Sequence, residues 1–113
     1  VEDEDVVRSV AHRILDRNGY RILEARNGIE ALDIAETHEG TIHLLITDLT
    51  MPGMSGRELA ERLAALRPDI RILFISGYTE DDDFRRSIDQ LGAFLEKPFS
   101  PEALCNRVRR LLD

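Results

Sequence analysis

The chemistry available to this chain sits where its apolar runs end. In "LLITDLTMPGMSG" (44–56) an apolar run stops on a bare carboxylate, Asp48, and a Pro-Gly turn follows. A strand that ends this way lifts a charged group to the rim of a sheet, where a ligand can reach it. Other runs end alike. Glu2 and Asp3 follow the stub of a first strand, Ser76-Gly77 closes "RILFIS", and Lys97-Pro98 closes "AFLE". Taken singly, each has a plain structural reading. "EDED" (2–5) is a solvated acidic run, Asp48 a turn residue, Ser76-Gly77 a loop opener, and Lys97 an exposed lysine before a turn. Taken together, three carboxylates, a hydroxyl and a lysine all fall at carboxyl ends of strands and none at amino ends.

The set is chemically coherent. Three neighbouring carboxylates repel one another and call for a cation, and oxygen-only ligands favour Mg2+ over zinc. Magnesium held by one or two carboxylates leaves room for a phosphoryl oxygen. A lysine and a hydroxyl opposite would hold the remaining oxygens. Asp48 then becomes a carboxylate nucleophile able to form an acyl phosphate.

Alternating strands and helices must position these groups. "YRILEA" (20–25), "TIHLLIT" (41–47), "DIRILFIS" (69–76) and "AFLE" (93–96) read as strands. The middle two are nearly continuous in apolar residues, as in a parallel sheet covered on both faces. Val6, Val7, Val10, Ala11, Ile14 and Leu15 form a helical stripe that Asn18-Gly19 stops. A weaker helix over 28–38 turns Ile29, Leu32 and Ala35 inward. Leu59, Leu63 and Leu66 mark a third helix. Phe84, Ile88 and Leu91, with Thr79 as N-cap, mark a fourth. Leu104, Val108, Leu111 and Leu112 mark the last, opened by the cap Ser100 and Pro101. Such alternation implies right-handed crossovers and helices on both faces of an open sheet.

Size and charge narrow the function. The 113 residues, 42% hydrophobic and 33% charged, suit one globular domain spanning 1–113. The apolar runs are strand-sized, too short for a bilayer, and the chain opens with acids rather than a signal-peptide pattern. The single cysteine, Cys105, excludes an internal disulfide and suits a reducing cytoplasm. A formal net charge of −7 argues against direct nucleic-acid binding and suits a cation or a basic partner. His12, His38 and His43 have no ligand spacing. Arg107, Arg109 and Arg110 form a basic patch on the last helix, read as a solvated face or a docking surface.

With "ED" (2–3), "TDLTMPGMSG" (47–56), "ISG" (75–77) and "EKPF" (96–99) in place, the whole chain resembles a receiver domain of the two-component response-regulator family. The resemblance implies a doubly wound, flavodoxin-like α/β fold with a five-stranded parallel sheet in the order 2-1-3-4-5. It implies that Asp48 takes a phosphoryl group from a histidine kinase or a histidine phosphotransfer domain. Magnesium would be held by Asp3, Asp48 and the Thr50 carbonyl, with Glu2 acting through water. Ser76 and Lys97 would contact the phosphoryl group, across a cis Lys97-Pro98 bond. Ser76 and Phe94 would form the switch, Phe94 swinging inward as Ser76 moves. Thr50 and Tyr78 would border the path of the water that ends the signal. The face of the fourth helix, fifth strand and last helix would serve a partner or a homodimer.

The acidic pair is Glu-Asp rather than Asp-Asp, the hydroxyl is Ser rather than Thr, and the switch ring is Phe rather than Tyr. None of these removes an essential group. A haloacid-dehalogenase-like phosphatase also uses an aspartate nucleophile, but Thr50 stands where its second acid would be. A pseudo-receiver acting only as an interaction module would lack the acids or the lysine. The chain therefore reads as a phosphoacceptor rather than a turnover enzyme. "SGYTEDDDF" and "KPFSPEALCNRVRRLLD" resemble receivers at the C-terminus of hybrid sensor histidine kinases, which would place the domain in the cytoplasmic part of a membrane-bound sensor. Because the first strand is central in the implied order, residues upstream of Val1 are expected to complete it; without them two rows of backbone groups would lie unpaired.

Overall fold

The computed structural model describes residues 1–77, 86 and 92–113. Within them lie strands β1 (Leu44–Asp48), β2 (Arg71–Ser76) and β3 (Ala93–Glu96), and helices α1 (Asp5–Arg17), α2 (Gly28–Thr37), α3 (Gly56–Leu66) and α4 (Pro101–Leu112). The strands are parallel and ordered β1-β2-β3, with Asp48 opposite Ile75 and Ser76 opposite Glu96. Tyr78 and the predicted helix carrying Thr79, Phe84, Ile88 and Leu91 lie outside the described residues.

Both faces of the sheet are covered. On β2, Ile72 and Phe74 join a core with α2 and α3, while Leu73 and Ile75 join a second core with Leu15, Leu104 and Val108 of α1 and α4. Alternate side chains point to opposite faces, so a strand buried on both sides must be apolar throughout. This is the reason for the unbroken "ILFI" of β2. The chain is a doubly wound parallel α/β fold.

The expected strand over 20–25 differs: these residues form no ladder. Its neighbour in the expected order is the strand ahead of α1, to which the described residues contribute only Val1 and Glu2. These two do occupy the expected place. The Glu2 amide donates to the Ala25 carbonyl at 3.1 Å, and the Asp48 amide donates to the Val1 carbonyl at 3.1 Å. Ala25, Val1-Glu2, β1, β2 and β3 thus follow one another across the sheet in the anticipated order. Two hydrogen-bonded residues are too few to define a strand on either side.

Helix ends follow local chemistry. The side chains of Asn27, Ser55 and Ser100 accept from the amides of Glu30, Glu58 and Ala103, satisfying donors that a helix start leaves free. After α1, Gly19 adopts a φ of +87°, a conformation that glycine takes without strain. Leu15, Ala35, Leu59 and Leu63 are buried as expected, but Ile29 is 68% exposed, and Val6, Val10 and Leu66 also face solvent. In α2 the buried residues are Gly28, Ala31 and Ala35. A Cβ on Gly28 would lie 2.6 Å from Sδ of Met54, so this helix packs through its smallest side chains.

Arg67, just beyond α3, closes the opposite end of the molecule. Its guanidinium donates to the carbonyls of Gly40, Ala35 and His38 at 2.7, 2.9 and 2.9 Å. Helix α2 leaves its last carbonyls without helical partners, and a cation is well placed to receive them. The entry into β1 is thereby tied to the exit from α3.

Candidate functional site

Asp48 owes its position to three local constraints. Its amide is bonded to Val1, the Leu49 amide donates to the Ile75 carbonyl at 3.0 Å, and the Gly56 amide donates to the Leu49 carbonyl at 2.9 Å. The chain therefore leaves β1 tightly and returns at once into α3. Gly56 permits that return: a Cβ there would lie 2.0 Å from the Asp48 carbonyl oxygen. One carboxylate oxygen, Oδ1, accepts from the Thr50 amide at 3.3 Å.

Around Asp48 the strand ends converge as expected. Carboxylate oxygens of Glu2, Asp3 and Asp48 lie within 4.8 Å of one another, with Glu2 and Asp48 buried and Asp3 exposed. Lys97 projects between two of them, its Nζ 2.9 Å from Oε2 of Glu2 and 3.0 Å from Oδ2 of Asp48. The lysine is aimed by its own amide, which donates to the Ser76 carbonyl at 2.7 Å, and the Lys97-Pro98 bond is cis. Ser76 is buried at the end of β2.

The electrostatics of this group are asymmetric. Burial works against the Lys97 charge, yet hydrogen bonds with Glu2 and Asp48 prevail and hold its pKa above the ordinary 10.5. Burial raises the Glu2 carboxyl above its ordinary 4.5, and the Lys97 hydrogen bond only partly offsets this. Lysine is thus kept charged between two acids, while Glu2 is pushed toward its neutral form. Because the folded state holds the Glu2 proton more tightly than the unfolded chain, its contribution favours folding below pH 4.5 and is lost as pH rises through the folded value. Glu2→Gln, neutral at every pH, should therefore raise the urea midpoint at pH 7. The gain should shrink toward pH 4, and urea titrations at the two values check this.

The donor set is all oxygen, two of the three carboxylates being fixed by the fold and the third open to solvent. That combination fits a small hard dication that keeps several waters. Phe94 is only 8% exposed and packs in the core with Phe74, the inward position of the expected switch. Arg107 departs from expectation: rather than joining Arg109 and Arg110 at the surface, it donates through Nη1 to the Phe94 carbonyl at 2.9 Å. His12 lies 3.2 Å from Glu24 and belongs to no metal-ligand group among the described residues. Cys105 is half-buried and accepts from the Asn18 amide group.

Residues 1–109 match the family model described as the response regulator receiver domain. The chain belongs to this family. It is 42% identical, over its full length, to part of the sensor kinase CckA of Brucella abortus (strain 2308), of which it spans 12%. It is 33% identical to the response regulator receiver protein CpdR of the same organism, matching 98% of this chain and 92% of that protein. Among solved structures, the receiver domain from the hybrid histidine kinase CckA superposes with a TM-score of 0.83 at 41% identity, covering 99% and 94% of the two chains. A CheY-like receiver from Methanospirillum hungatei JF-1 gives 0.88 at 26% identity, covering 99% and 89%. The molecule is a receiver domain of two-component signalling, and its acidic cluster lies where the receiver fold gathers its strand ends. No helix among the described residues is long and apolar enough to cross a membrane.

Proposed function

We propose that Asp48 is the phosphoacceptor of this receiver, taking a phosphoryl group from a phosphohistidine on a histidine kinase or a histidine phosphotransfer domain. The observation that carries the reading is Lys97 seated between Glu2 and Asp48 on the rim where Asp3 also points its carboxylate. In the transfer an Asp48 carboxylate oxygen forms a bond to phosphorus as the nitrogen–phosphorus bond of the donor breaks, and the imidazole, protonated on its other ring nitrogen, leaves as the neutral base. Magnesium, held by Asp3, Asp48 and the Thr50 carbonyl with Glu2 acting through water, would offset the charge gathered on the phosphoryl oxygens. Lys97 is then drawn from the carboxylates to a phosphoryl oxygen, and Ser76 supplies a hydroxyl donor to another.

The domain acts as a phosphoacceptor and not as a turnover enzyme, since Thr50 offers no carboxylate to activate water. Thr50 and Tyr78 would then set how long the acyl phosphate lasts. Similarity to part of a sensor kinase supports a place within a hybrid histidine kinase, on the cytoplasmic side. A net charge of −7 supports protein rather than nucleic-acid partners. The face that includes β3 and α4 would carry the output, to a partner or a second copy. Since the Phe94 ring is already inside, movement of Ser76 would secure that position rather than create it.

Magnesium removal tests the chemistry. Incubated with acetyl phosphate and magnesium, the protein should gain one phosphoryl group by intact mass, and excess EDTA should reduce uptake by at least tenfold. Equal uptake in EDTA would overturn the assigned role of the acidic cluster.

A further inference from the structure

Arg8 lies on the first turns of α1, outside every motif that marks the site. Its side chain is only 18% exposed. Through Nη1 it donates to the main-chain carbonyl of Glu2 at 2.9 Å. Two acids orient the same guanidinium: Asp5, whose Oδ1 is 2.6 Å from Nη2, and Glu24, whose Oε1 is 3.6 Å from Nε. Glu24 precedes Ala25, whose carbonyl receives the Glu2 amide from the other side. The peptide units flanking Glu2 are therefore gripped at both polar groups, from α1 and from the 20–25 segment. Val1 is bonded to β1, and among the described residues Arg8 supplies the only side-chain hydrogen bond from α1 to the Glu2 carbonyl.

We infer that Arg8 is a positioning residue for the acidic pocket, holding the Glu2-Asp3 main chain so that both carboxylates point at Asp48. The inference rests on the phosphoacceptor reading but concerns a residue that touches neither cation nor phosphoryl group. Only a planar fork can reach a carbonyl and two carboxylates together; a lysine ammonium can satisfy part of that set. Residues that orient a metal's ligands typically govern affinity by tenfold or more.

The sign of the effect separates positioning from simple charge. Arg8 is a cation near an anionic pocket, so on charge alone its removal strengthens magnesium binding. Positioning predicts the reverse. Magnesium titrations of the full chain, followed by amide NMR shifts at the pocket, should show Arg8→Met weakened roughly tenfold and Arg8→Lys weakened by a smaller factor. Hydrogen exchange at the Glu2 amide should speed up in both, and Arg13→Met, an exposed cation elsewhere on α1, should change neither. Equal or tighter binding by Arg8→Met would overturn the role. If Arg8→Met fails to fold, Arg8→Lys decides, and native affinity with native exchange would overturn it. Native protein that shows no magnesium binding at all would overturn the phosphoacceptor reading and this inference with it.

Discussion

Asp48→Asn should accept no phosphoryl group from acetyl phosphate or from a phosphohistidine partner, while keeping its fold. The substitution removes the carboxylate at the end of β1, whose Oδ1 accepts from the Thr50 amide and whose Oδ2 lies 3.0 Å from Lys97. Glu2 is no substitute, because both its oxygens are already engaged, Oε2 by Lys97 at 2.9 Å and Oε1 by the Glu4 amide at 3.2 Å. Asp3 is exposed, and Lys97 pairs with Glu2 and Asp48 rather than with it. Stability should change by no more than about 1 kcal/mol, since one repelling carboxylate and one Lys97 contact disappear together. Intact-mass measurement of uptake, beside a urea titration, reads both expectations. Phosphate incorporated equally by Asp48→Asn would end the assignment.

Gly56→Ala should be the most damaging of the glycine-to-alanine changes. The added Cβ would meet the Asp48 carbonyl oxygen at 2.0 Å, its carbon at 2.9 Å and the Leu49 Cα at 3.0 Å. All three are main-chain atoms, so no side chain can swing away to make room. Relief requires α3 to withdraw from β1 or the end of β1 to bend. The first uncovers Leu59 and Leu63, both buried, and the second moves the carboxylate itself. A cost of about 3 kcal/mol or more is expected. Gly77→Ala is the control, because nothing lies within 4 Å of a Cβ there. Urea midpoints should separate the two variants clearly, and phosphoryl uptake by any folded Gly56→Ala protein should be slowed. A midpoint for Gly56→Ala equal to that of the native protein would show that the return into α3 has slack.

The contrast between Asp48 and Arg8 explains how far the sequence could be read. Asp48, Ser76 and Lys97 were legible because each ends an apolar run, and a parallel sheet brings the ends of such runs to one rim. Arg8 and Arg67 act through main-chain carbonyls, which have no sequence signature, so only the folded chain shows what they hold. Ile29 of α2 faces solvent rather than the core for a related reason. Periodicity weights large apolar residues such as Ile29, whereas this helix approaches the core through Gly28 and alanines, which make a weak stripe. The segment 20–25 has the pattern of a strand but the described residues give it a partner at one point only. The buried position of Phe94 follows from packing beside Phe74, which no spacing reveals.

The Arg107 contact with the Phe94 carbonyl bears on how this protein behaves in a crowd. β3 ends the described sheet, and a terminal strand offers bare main-chain groups on which another chain can add a strand and begin to aggregate. Here one acceptor of that strand is already engaged by a guanidinium from α4, and the strand is only four residues long. A neighbour arriving at this side meets a charged side chain instead of a free template. Association there is steered toward side-chain surfaces, which can be made and undone, and away from strand addition, which tends to be irreversible.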